Sequence, residues 1–324
     1  MKTLIVGEND AGQRLDRFIS KATVNLPSSL LHKYFRKKCV RVNGVHEDAA
    51  RILDRGDVVM LYISDEFFGG TGDGGARPDL SKIKPRLDVV YEDGNIIICD
   101  KPVGMLVHSG EGDGADESRT LIGQVWAYLY SRGEYDPERE STFAPALCHR
   151  LDRNTRGLVV AAKNARALRE MNEIIKRRYL KKFYLCAVHG TPDARSGTLR
   201  AYLLRTGSGQ VKVYGHPVRE SKEIITEYRV LKSNGQLSLL EVGLVTGRTH
   251  QIRAHLEFAG YPLLGEGKYG KNEADRRRGY KSQALAAYRV RFSLPKDYVG
   301  ELAYLSGREF RIDTRTLDFM KEFE

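Results

Sequence analysis

The chain has 324 residues, enough for two domains that each bury a core. With 41% hydrophobic and 29% charged residues it has the composition of an ordinary globular protein, and no uncharged apolar run approaches the ~20 residues that span a bilayer. Its 53 Lys+Arg against 42 Asp+Glu leave a net charge of +11, a balance that favours polyanions, above all nucleic acid, over acidic surfaces.

The opening stretch, MKTLIVGENDAGQRLDRF, lacks the long apolar segment and small-residue cleavage site of a signal peptide. Cys39, Cys99, Cys148 and Cys186 are far apart and form no CxxC or CxxH cluster, which argues against a disulfide framework or a zinc site. A cytoplasmic protein is expected.

After a short strand-like start, Leu15, Phe18 and Ile19 fall at helical spacing, and a second helix is expected from about Ser28 to Lys37 with Leu30, Leu31 and Tyr34 on one face. VRVNGV and DVVMLYI then read as strands, the first containing an Asn43-Gly44 turn. Lys33, Arg36, Lys37 and Lys38 gather at the end of the second helix. Part of that charge complements the helix dipole, but four cations beside Tyr34 suit a face that tracks phosphates. RLDRFI, KYFRKKCVRVNG and the GD of DRGDVV together resemble the small S-four-like RNA-binding domain, here residues 1–64. Residues 65–84, with the glycine-rich FFGGTGDGGARPD, read as a flexible linker. No GK[ST] follows those glycines, and the glycines of HSGEGDGADES sit among acids, so neither stretch is a phosphate loop.

From residue 85 to 324 the pattern is mixed. LDVVYED, NIIICDKP, GLVVAAKN, KKFYLCAVHG, GTLRAYLL, ITEYRVLKS and LSLLEVGLVT are strand-like, while TLIGQVWAYLYSRG, ARALREMNEIIKRR and THQIRAHLEFAG are helical. The expected fold class is α+β: a mixed, largely antiparallel sheet with flanking helices, preceded by the small N-terminal α/β module.

Two stretches carry the candidate chemistry. In CHRLDRNTRGL a single carboxylate, Asp152, lies among Arg150, Arg153 and Arg156, on a loop feeding the strand GLVVAAK. Taken alone this reads as an exposed ion-pair cluster, worth ~0–1 kcal/mol per pair. A carboxylate kept ionised by cations is instead suited to act as nucleophile, base or electrostatic stabiliser, with the other arginines holding phosphates on either side. The second stretch is TGRTHQIRAHLEFAGYPLLGEGKYG, where Arg248, His250, Gln251, Arg253 and His255 crowd the start of a helix. These are hydrogen-bond donors fit for phosphates or base edges. The histidines lack the i, i+4 spacing of a zinc-binding HExxH, and either alone reads as a satisfied structural histidine.

HRLDRNTRGLVVAAKN, with KPVGMLVH before it, KKFYLCAVHG after it and GRTHQIRAHLEFAG further on, resembles the RluA/RluC-type pseudouridine synthases, from about residue 86 almost to the C-terminus. The resemblance implies isomerisation of uridine to pseudouridine in structured RNA, without cofactor or metal. Large-subunit ribosomal RNA is favoured over transfer RNA because of the N-terminal module and the basic charge. It also implies that Asp152 is the catalytic aspartate, Tyr184 the active-site tyrosine and Arg253 the basic residue paired with the aspartate. Arg150 matches the arginine that moves with the flipped nucleotide, and Leu285 the apolar residue under the base. Many relatives have serine where Arg156 stands and histidine where Ala286 stands, departures that bear on which RNA is recognised rather than on catalysis. A non-catalytic RNA-binding or ribosome-assembly factor and a nucleoside-cleaving hydrolase are the alternatives. The first would not need Asp152, Tyr184 and Arg253 intact, and the second would need a second carboxylate near Asp152.

Overall fold

The structure, a computed structural model, describes residues 1–23, 26–68, 79–109, 116–207, 210–270 and 273–324. The glycine-rich centre of the expected linker and most of HSGEGDGADES lie outside these residues.

The N-terminal unit contains β1 (Lys2–Ile5), α1 (Leu15–Ala22), α2 (Ser28–Arg36), β2 (Val40–Val42), β3 (Val45–His46) and β4 (Val58–Leu61). The strands form an antiparallel sheet in the order β1-β4-β2-β3. Asn43 and Gly44 both have positive φ, 52° and 83°, as the tight turn between β2 and β3 requires. Leu15, Phe18 and Ile19 are fully buried against Val40, Val42, Val59 and Leu61, so one apolar stripe per helix closes this small core. The unit touches the rest of the chain through polar contacts. The Asn9 side chain donates to Glu140 at 2.9 Å and accepts from the Ala165 amide at 3.1 Å, and Gln13 donates to Thr142 at 3.1 Å.

The remainder comprises β5 (Val89–Glu92), β6 (Ile96–Lys101), α3 (Leu121–Ser131), β7 (Ala146–Leu147), β8 (Arg156–Ala162), α4 (Ala165–Lys176), β9 (Leu180–His189), β10 (Ser196–Arg205), β11 (Val211–Tyr214), β12 (Lys222–Ser233), β13 (Leu237–Leu244), α5 (Gln251–Phe258), α6 (Glu273–Arg277), β14 (Leu285–Phe292) and β15 (Glu309–Arg311). The large sheet runs β11-β10-β12-β13-β9-β14-β8-β6-β5, with β15 beside β14 and β7 beside β8. Every pairing among the described residues is antiparallel except β14 with β8. The mixed α+β arrangement is therefore as expected.

The central strands are apolar on both faces because each face packs against its own layer. On β6, Ile96 and Ile98 meet α4 and the C-terminal segment, while Ile97 and Cys99 face α3 and α5. On β9, Leu185 and Ala187 face the first layer, and Tyr184, Cys186 and Val188 the second. Leu80, inside the expected linker, is buried in the second layer with Ile83 packed nearby, so these two side chains anchor the end of that stretch to the core. Among the described residues no helix is long and apolar enough to cross a membrane.

Gly157 makes the seam between β8 and β14 possible. Its φ is +129°, and a Cβ there would lie 2.2 Å from the Ala287 carbonyl oxygen. Because β14 approaches so closely, Ala286 pairs with Arg156, which brings the loop ahead of β8 beside the start of β14.

Candidate active site

The loop carrying Asp152 is pinned on both sides. Leu151 and Thr155 are buried, the Thr155 amide closes a turn onto the Asp152 carbonyl at 3.0 Å, and Gln283 donates to the Thr155 hydroxyl at 3.3 Å. From below, the fully buried Lys101 ammonium donates to the carbonyls of Pro102, Met105 and Arg153 at 2.9, 2.9 and 3.0 Å. Burial pulls that ammonium down to about 8, against the opposing pull of the Asp152 and Asp100 charges. Lys101 thus ties the turn after β6 to the aspartate loop, with its donors already committed to carbonyls.

The cation that meets Asp152 comes from α5, not from the arginines beside it in sequence. Arg253 Nη1 donates to Asp152 Oδ2 at 3.0 Å, while its Nε and Nη2 grip both oxygens of Glu266 at 2.8 and 2.7 Å. Burial alone would raise the Glu266 carboxyl, but the Arg253 hydrogen bonds and charge, with the Lys268 and Tyr269 amides, hold it below its ordinary range. One buried guanidinium is therefore fixed by one carboxylate and presented to another.

His250, at the cap of α5 with φ 56°, bonds through Nδ1 to the Tyr269 hydroxyl at 2.6 Å and puts Nε2 3.8 Å from Asp152 Oδ2. Burial lowers its pKa, opposed by the Asp152 charge. Tyr184, on β9, is buried beside the cavity, and its hydroxyl has no hydrogen-bond partner among the described residues. Burial, helped by the charge of Asp152, pushes its phenol above the ordinary range, so it stays protonated at neutral pH. Asp152, Tyr184, Arg253, His250, Arg248, Arg150 and Leu285 line one cavity of ≈ 300 Å³, within the range of about 300–1,000 Å³ typical of small-ligand sites.

Other expected residues go elsewhere. Arg150 and Arg248 are exposed at the cavity. Arg153 turns away and donates to the Gly104 carbonyl at 3.1 Å. Arg156 pairs with the buried Asp100 at 2.8 Å and reaches the Thr316 carbonyl at 3.0 Å. It lines a second, larger cavity of ≈ 720 Å³, which shares Leu285 with the first but contains neither Asp152 nor Tyr184. The idea that all three neighbouring arginines flank Asp152 is corrected accordingly, since in an extended loop and strand start successive side chains diverge. Gln251 is a second correction. It is 2% exposed. Its amide is consumed by the Ile225 carbonyl and Thr226 hydroxyl at 3.1 Å each, and its oxygen by Thr246 and the Arg248 amide, which leaves nothing for a base edge. His255 is structural: it bonds to Thr226 at 2.9 Å, and burial lowers it to about 4. Lys33, Arg36, Lys37 and Lys38 are all exposed at the end of α2.

Glu266, Tyr269 and Lys101 belong to the site, and residue-type reasoning did not single them out. All three lie inside the motif stretches, but nothing in the spacing shows that Glu266 holds the far side of Arg253.

The sequence profile of the RNA pseudouridylate synthase family matches residues 95–258. "Ribosomal large subunit pseudouridine synthase C" of Salmonella typhimurium is 30% identical over 305 residues, covering 91% of this chain and 89% of that protein. The protein of the same name from Escherichia coli K12 is 31% identical over 281 residues, covering 85% and 82%. Among solved structures, human RNA pseudouridylate synthase domain containing 4 superposes with a TM-score of 0.53 at 22% identity, covering 70% of this chain and 88% of that one. Human RNA pseudouridylate synthase domain containing 1 gives 0.52 at 20% identity, covering 76% and 96%. The chain belongs to the RNA pseudouridylate synthase family. It is an isomerase that acts on RNA.

Proposed function

We propose that the chain converts specific uridines to pseudouridine in large-subunit ribosomal RNA, with Asp152 as the catalytic carboxylate. The observation that carries this reading is the carboxylate of Asp152, held by Arg253 at 3.0 Å, at the wall of a cavity that also presents the Tyr184 phenol. The names of the bacterial relatives support ribosomal RNA of the large subunit as substrate.

The target uridine leaves the stack and enters the cavity, at a cost of a few kcal/mol that contacts to the RNA backbone offset. Asp152 then either attacks the anomeric carbon, as a retaining glycosidase does, or removes the neighbouring ribose proton. The base detaches from its ring nitrogen, turns, and rejoins the ribose through carbon 5. Arg253 orients Asp152 through its hydrogen bond to Oδ2. Tyr184 stacks on the base with a protonated hydroxyl available for a proton step, Leu285 supports the base from below, and Arg150 accompanies the flipped nucleotide. Residues 1–64 serve as the RNA-binding module and residues 85–324 as the catalytic domain. The cytoplasm, where ribosomal RNA is made and folded, is the site of action.

The test is tritium release from carbon-5-labelled uridine in unmodified ribosomal and transfer RNA, with wild type and Asp152→Ala side by side. Release from ribosomal RNA that disappears in the variant is the expected result. Release from transfer RNA alone would move the substrate, and none from either RNA despite tight binding would favour a non-catalytic factor.

A further inference from the structure

Several of the partly buried cations among the described residues are neutralised by carboxylates. Arg156 has Asp100, Lys163 has Glu92, Arg253 has Glu266 and Asp152, and Arg289 has Glu241 and Glu309. Lys101 has no carboxylate, but three carbonyls satisfy it. Lys182 differs. It is half-buried, lines the same cavity as Asp152, and makes no ion pair or hydrogen bond with any described residue. Burial alone lowers its ammonium, with no opposing carboxylate.

Its direction is set by the strand. Lys182 stands two residues before Tyr184 on β9, so both side chains leave the same face of the sheet, spaced by roughly 7 Å along the strand. Phe183 between them faces the opposite layer, under the Arg289 guanidinium. Beside Lys182 in the cavity wall is His149. Its Nε2 accepts from the Val160 amide at 3.3 Å. Burial, with the nearby Lys182 charge, lowers this ring well below its ordinary range against an opposing backbone hydrogen bond at Arg150, so it stays neutral and adds no counter-charge for Lys182. Arg150 stands exposed at the same rim.

Uracil and ribose are neutral, and the anionic part of a uridine nucleotide is its phosphate. A desolvated ammonium without a counterion is costly, and an entering anion relieves that cost. We infer that Lys182, with Arg150 at the rim, forms a phosphate subsite that grips a linkage flanking the target uridine while Tyr184 and Asp152 face its base and sugar. This rests on the catalytic reading above. It assigns to Lys182 a direct contact with the substrate backbone inside the cavity.

The test uses single-turnover pseudouridine formation at the uridine mapped by tritium release, in a ribosomal RNA fragment carrying either native phosphates or one neutral methylphosphonate next to that uridine. Lys182→Met should raise the concentration of RNA, or of enzyme in excess, for half-maximal rate by roughly 10- to 100-fold, with the saturating rate much less affected. Lys182→Arg should recover most of the loss. The methylphosphonate should cost the wild type a similar factor and cost Lys182→Met nothing more. Additive losses, or a wild type indifferent to methylphosphonate at either flanking linkage, would overturn the subsite, and the second result holds even if Lys182→Met does not fold. A wild type that forms no pseudouridine at all would overturn the catalytic reading instead.

Discussion

Arg253 and Asp152 share one hydrogen bond at 3.0 Å, and the arginine reaches it already locked by the two oxygens of Glu266. Asp152→Asn keeps an oxygen that can accept from Arg253 and keeps the side-chain shape, but it removes the negative charge needed to attack carbon or take a proton. Turnover should vanish, while thermal stability and RNA affinity stay within a few-fold of wild type. Tritium release and filter binding on the same RNA check this, and substantial residual turnover would remove Asp152 from the chemistry.

Glu266 is the foundation of that geometry. Its side chain is fully buried, and Arg253 is itself only 10% exposed. Glu266→Gln leaves the guanidinium buried without its main counter-charge, a change of the kind that costs about 3–5 kcal/mol when one partner of a buried pair is removed. Denaturant titration should show a loss of that order. Because Arg253 then meets one amide oxygen and an NH2 group in place of two carboxylate oxygens, its aim at Asp152 is disturbed and kcat should fall more than RNA affinity. Unchanged stability would mean that Asp152 alone is enough to satisfy Arg253.

Much of the fold could be read in the chain because the central strands carry their burial pattern openly: β6 and β9 are apolar runs, and α4 has a clear apolar stripe. β14 is absent from the strands expected from the sequence although YRVRF alternates apolar and charged residues; Arg289 lies in the sheet because Glu241 and Glu309 neutralise it. In the site, Asp152, Tyr184 and Arg253 are distant in sequence and became legible together only through the family's motifs. Arg153 and Arg156 were misplaced because nearness in sequence on extended backbone sends side chains in different directions. Lys182, in the quoted KKFYLCAV, gave no signal of its own, since a lysine in a strand reads as solvated until the wall around it is known.

Acid sensitivity has a defined sign. His255 has a folded pKa of about 4 against an ordinary value of 6.5, because it is buried beside Thr226. Between those values the unfolded chain binds a proton that the native protein does not, so stability is complete above pH 6.5 and falls as pH drops toward 4. The span corresponds to roughly 3 kcal/mol. His149, also held neutral by burial, acts in the same direction. Denaturation midpoints of wild type and His255→Asn across this window should converge as pH falls. Parallel curves would show that His255 does not carry the dependence.

The exposed cations at the end of α2 make a prediction independent of catalysis. Lys33, Arg36, Lys37 and Lys38 all face solvent within one short stretch. If each meets an RNA phosphate, replacing all four by alanine removes their share of counterion release, roughly 0.7–0.9 of slope per contact. The plot of log affinity against log salt for ribosomal RNA should therefore flatten by about 3. Since these residues stand apart from the Asp152 cavity, the single-turnover rate at saturating RNA and low salt should be unchanged. An unaltered slope would place RNA binding elsewhere on the molecule. A reduced saturating rate would instead show that the N-terminal unit helps to position the target uridine.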